Sequence, residues 1–60
     1  MSDALFVTVT LTRPDDPPMD DRRWRREAVD ALARIENAAD IVNRRTAVEA
    51  SVYHEWGDDR

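Results

Sequence analysis

Apolar and polar side chains alternate one by one across residues 4–12, "ALFVTVTLT". Leu5, Val7, Val9 and Leu11 fall on one face, and Phe6, Thr8, Thr10 and Thr12 on the other. A period of two in a stretch rich in β-branched residues predicts a strand with one buried face. Such a strand leaves its backbone groups unpaired, so it needs a partner from this chain or from another.

"RPDDPPM" at 13–19 breaks the pattern with three prolines and two aspartates, and predicts a stiff polar connection. A different period follows. Trp24, Ala28, Ala31, Leu32, Ile35, Ala38, Ala39 and Val42 recur at spacings of three and four, which at about 100° per residue gathers them into one stripe. Arg23–Glu27, Arg26–Asp30 and Asp30–Arg34 are opposite charges four residues apart. Asp20 suits the N-cap, with Met19 and Trp24 in the staple positions on either side of it. These features predict a helix over 20–39.

In "TAVEASVYHEW", Val48, Ala50 and Val52 alternate with Glu49, Ser51 and Tyr53. This favours a second strand over 46–54; a second helix, with Ile41, Val48 and Val52 on one side, is the rival. Residues 57–60 read as a polar tail. The expected architecture is therefore α+β: a single small domain over 1–60, built as a strand–helix–strand unit. A right-handed crossover would set its strands parallel, and pairing with further copies would complete it. The alternative is a strand followed by two helices.

Composition sharpens this picture. A 60-residue chain buries only about 60% of its unfolded surface, and so gains little from a core of its own. It has no cysteine and a single histidine, which excludes disulfides and thiolate zinc sites. Self-association or docking on a partner is the remaining source of stability. No apolar run approaches the ~20 residues of a membrane span and no basic-then-apolar leader stands out, so the expectation is a cytoplasmic protein that does not enter membranes. The net charge is −4, from thirteen acids and nine bases. An acidic surface repels nucleic acid unless a local basic patch intervenes. All nine bases are arginine, a bias read first as GC-rich codon usage and only second as selection for guanidinium chemistry.

"DDRRWRRE" at 20–27 is the one candidate basic patch. On the helical wheel Arg22 and Arg26 face water while Arg23 and Arg25 lie on opposite flanks, so the four fan out instead of forming a stripe. Between residues 13 and 27, five arginines meet five acids. A solvated face paired with acids is thus the first reading. A phosphate grip is the second, and needs two clusters brought together in a dimer. Trp24 heads the apolar stripe and reads as core; Trp56, beside the lone glycine, reads equally as self-packing or as interface. "YHEW" offers His54 as a base with Tyr53 or Glu55 as helper, but sequence neighbours on a strand point to opposite faces. A metal at His54 with Glu49 or Asp58 would need ligands from another subunit, and the aspartates of the 14–21 loop lack a calcium loop's glycine.

The reading that follows is a small non-enzymatic accessory or regulatory protein, acting by homo-oligomerisation and protein–protein binding without cofactor or metal. Arg22, Arg23, Arg25, Arg26 and Trp56 are the candidate partner contacts. Phe6, Val9, Tyr53 and Trp56 are the candidate oligomer contacts. A nucleic-acid-binding regulator with paired arginine clusters is the alternative, and an enzyme with an intersubunit site near His54 a weaker one.

Overall fold

The computed structural model describes residues 2–57. Its one regular element is helix α1, Asp21–Arg45, whose 25 residues span about 37 Å. Asp20 caps it: the backbone is extended there and Oδ1 accepts from the Arg23 amide at 2.7 Å, satisfying one of the first-turn donors. Asp21 in the first turn and Arg44 and Arg45 in the last complement the helix dipole.

Among the intrahelical ion pairs, Asp30 joins Arg34 and Asp40 joins Arg44, each at 3.1 Å, while Arg23 and Glu27 stand 3.9 Å apart. Acid four residues before base is the better orientation on a helix. This explains why Asp30 takes Arg34 and leaves Arg26, its sequence-predicted alternative, to solvent. These exposed pairs are worth a few tenths of a kcal/mol each.

Thr46 ends the helix and reverses the chain. Its N–H and its hydroxyl both donate to the Val42 carbonyl, at 3.0 and 2.8 Å, and its oxygen accepts from the Val48 amide at 3.0 Å. A threonine hydroxyl can supply the local bonds of a turn, so no glycine is needed here. The returning arm, residues 47–57, is then gripped by Asn43. Its Oδ1 accepts from the Ala50 amide at 2.6 Å and its Nδ2 donates to the Ala50 carbonyl at 3.0 Å. One side-chain amide thus does for Ala50 what a neighbouring strand would do. At the far end Trp56 meets Trp24 edge-to-face, with ring centroids 6.2 Å apart and planes at 84°.

Among the described residues the polar ties of the N-terminal arm are made by Arg13. Arg13 Nε donates to the Met19 carbonyl at 2.8 Å and Nη1 pairs with Asp21, spanning the turn that contains the cis Asp16–Pro17 bond. From there the arm peels away from the helix. Leu11 is 37% exposed, Val9 61%, Val7 77% and Leu5 88%.

The expected α+β unit is therefore corrected. Residues 4–12 and 46–54 form no strand among the described residues, and the helix continues to Arg45. Neither a strand–helix–strand unit nor a strand followed by two helices is present. A two-stranded pair is marginal by itself, and a parallel one weaker still. In this chain the Ala50 backbone bonds to Asn43 instead, and the two arms stand apart over the helix stripe. Among the described residues only Ala28 is buried. Trp24, Ala31, Leu32, Ile35 and Ala39 are half-covered.

Candidate functional site

The two arms and the helix stripe enclose an open cleft of about 1170 Å³. Its floor is the predicted stripe, Trp24, Ala28, Leu32, Ile35, Ala39 and Val42; residues 7–13 form one wall and residues 51–57 the other. Small-molecule pockets run to about 300–1,000 Å³ and enclose most of their ligand. This cleft is larger, open, and floored by aliphatic groups and one indole.

Its walls carry backbone that forms no strand among the described residues. Unpaired backbone beside a groove can take main-chain hydrogen bonds from another polypeptide, with alternate side chains setting specificity.

The charged side chains of the cleft gather at one mouth. Arg13, Asp21, Arg25, His54 and Glu55 line it at the end where α1 begins, whereas the end near Ala38, Ala39 and Val42 is apolar. At the polar mouth the Arg25 guanidinium carbon lies 5.4 Å from the centre of the Trp56 ring, a cation–π contact. Trp56 therefore packs on its own chain, between Trp24 and Arg25, while remaining 53% exposed.

The arginine cluster is dispersed by these contacts. Arg23 pairs with Glu27 and Arg25 covers Trp56; Arg22 and Arg26 are exposed. No common binding surface joins the four within one chain. Of the oligomer candidates, Val9, Tyr53 and Trp56 line the cleft, while Phe6 stands 90% exposed near the free end of the N-terminal arm.

Around His54 the structure brings together Tyr53 and Glu55. The phenol donates to Glu55 Oε1 at 2.7 Å. Residues two apart on an extended segment share a face, which is why Tyr53 meets Glu55 and His54 joins neither. Glu55, as acceptor from the protonated phenol, raises the Tyr53 pKa above its ordinary 10.0, with a smaller contribution from desolvation. A raised folded-state value means this local contact is fully present below about pH 10 and is lost as pH rises through the raised value. Glu55→Gln is expected to bring the tyrosinate absorbance midpoint back toward 10.0. An unchanged midpoint would place the cause elsewhere.

Among the described residues no three acidic, histidine or cysteine side chains stand together to hold a metal. Asp58, one suggested ligand for His54, lies outside them. No helix of the described residues is long and apolar enough to cross a membrane.

Two contributors carry no sequence pattern of their own, Arg13 and Asn43. Asn43 did leave a trace, as a poor helix former beside the apolar Val42. Arg13 was one charge among many. No family model, curated protein or solved structure matches this chain.

Proposed function

We propose that this is a small cytoplasmic accessory or regulatory protein that acts by binding polypeptide in the cleft, with no catalytic chemistry of its own. The observation that carries this reading is the unsealed helix stripe. An aliphatic floor about 28 Å long between Trp24 and Asn43 lies between two extended walls that do not close over it. Soluble chains rarely leave so large an apolar surface open unless it is an interaction site. Arg25 and Trp56 form the rim, residue types enriched where interfaces concentrate their energy.

A photo-crosslinking side chain at Leu32 tests this in the native cell. Discrete crosslinked protein species are expected, identified by mass and abolished by Ile35→Asp on the same floor. Products no different from those of a probe at Arg34, whose side chain is 80% exposed, would overturn the reading.

Because the arginines are dispersed among acids, the chain is also expected to show no binding to duplex DNA or RNA at low salt. A steep salt-dependent affinity would count for a phosphate grip and against a protein partner.

A further inference from the structure

We infer that the N-terminal arm docks on the same arm of a second copy of this chain, antiparallel and centred on Thr8. The inference rests on the polypeptide-binding reading above and names the occupant. It leaves the fold of each chain as one helix with two extended arms and concerns only the contact between copies.

The sequence of the arm is nearly symmetric about Thr8. Val7 and Val9 stand one residue to either side, Leu5 and Leu11 three, and Asp3 and Arg13 five. Turned antiparallel on a copy about Thr8, Val7 of each arm faces Val9 of the other, and Leu5 faces Leu11. Every odd position from 5 to 11 then meets an apolar partner on one face. On the other face Thr8 meets Thr8 and Phe6 meets Thr10. Each end is closed by Asp3 opposite Arg13, opposite charges in directly facing positions.

Neighbouring registers lose this match. A shift of one residue sets the aliphatic face against the threonine face. A shift of two sets Asp3 against Leu11 in one direction or against Asp15 in the other. Parallel in-register pairing sets Asp3 on Asp3 and Arg13 on Arg13, like charges throughout. Within its own chain Arg13 uses Nε and Nη1 on Met19 and Asp21. Its remaining guanidinium donors are spare, among the described residues, for a second carboxylate.

Surface area points the same way. The chain exposes 6109 Å², roughly 2,100 Å² more than the roughly 4,000 Å² expected of a compact chain of its mass. Its radius of gyration is 14.6 Å, against about 10.4 Å for a compact chain of this length. A standard interface covers about 800 Å² on each partner, so the excess is enough for one. The two most exposed large apolar residues, Phe6 and Leu5, lie on this arm, followed by Tyr53 of the other arm and Val7 of this one.

The chain contains no cysteine, so single introduced cysteines report the register directly. Directly facing residues of an antiparallel pair have Cα atoms about 4.5–5.5 Å apart, within disulfide reach. Under a mild oxidant Thr8→Cys is expected to form a covalent dimer, because residue 8 faces itself. Leu5→Cys alone is expected to stay monomeric, and to crosslink once mixed with Leu11→Cys.

A second measurement is sedimentation of the cysteine-free chain. Asp3→Arg and Arg13→Asp are each expected to weaken self-association about tenfold, and an equimolar mixture to recover it, since each Arg then faces an Asp. A monomer at ~100 µM, or Leu5→Cys crosslinking alone as fast as Thr8→Cys, would overturn the proposal. If self-association is absent while the Leu32 crosslinks persist, the second copy is the wrong occupant and the binding reading stands. If both are absent, both fall.

Discussion

Trp56→Ala is expected to release the whole C-terminal arm from α1. The substitution removes an indole that is 53% exposed and therefore about half covered, together with its edge-to-face contact on Trp24 and its cation–π contact with Arg25. Covering about 100 Å² of apolar surface contributes about 2.5 kcal/mol. The aromatic pair adds about 1 kcal/mol and an exposed cation–π contact about 0.5 kcal/mol. The order of magnitude, about 3–4 kcal/mol, is large for an arm with one other strong tether. Exchange at the Ala50 amide, which donates to Asn43 on the helix, is expected to quicken while the centre of α1 keeps its protection. Trp56→Phe should retain most of the effect and Arg25→Ala should lose only the smallest part. Protection in Trp56→Ala equal to the parent's would show that this contact does not hold the arm. Phe6→Ala, at a residue 90% exposed in the single chain, is the matched control for arm docking.

Asn43→Ala is expected to move two observables in opposite directions. Losing the paired bonds to Ala50 costs about 1–2 kcal/mol of arm docking. Alanine at the same place favours the helix by about 0.5 kcal/mol. Helicity by circular dichroism should therefore hold or rise while exchange at Ala50 quickens. Asn43→Asp keeps the acceptor for the Ala50 amide but turns a carboxylate toward its carbonyl, and adds a negative charge near the helix C-terminus. It should dock the arm no better than alanine. Parallel loss of helix and arm in Asn43→Ala would mean that the two are one cooperative unit.

How far the sequence disclosed this arrangement differs by element. The start of α1 was legible because a capping aspartate, a hydrophobic period and compensating charges agree within ten residues. Its end was set too early, at residue 39. The run of alanines finishes there, yet Val42 continues the stripe and Asp40 with Arg44 adds one more well-oriented pair. The period of two in both arms predicted two strands, and neither forms among the described residues. It does not report who supplies the hydrogen bonds, and the inference to an internal strand pair failed at that step. For Ala50 the supplier is a side chain, which no backbone periodicity encodes.

The candidate site was legible in parts. The stripe that floors the cleft and the cancellation of the arginines by acids both follow from spacing. The partner of Trp56 does not, because residues 24 and 56 meet only if the chain reverses at Thr46. That reversal depends on one hydroxyl in a turn without glycine, a signal shared by many threonines that turn nothing.

The two walls of the cleft differ in how they are tied. Helix and C-terminal arm are joined at both ends, by Thr46 and Asn43 at one and by Trp24 and Trp56 at the other, so together they make a closed buckle. Among the described residues the polar ties of the N-terminal arm are those of Arg13. If the cleft binds polypeptide as proposed, its two walls would respond unequally to a guest: the buckle is tied at both ends of the floor, whereas the polar ties of the other wall lie at the start of α1. Discrimination would then fall to the pattern of indole, alanine, leucine and isoleucine along the floor.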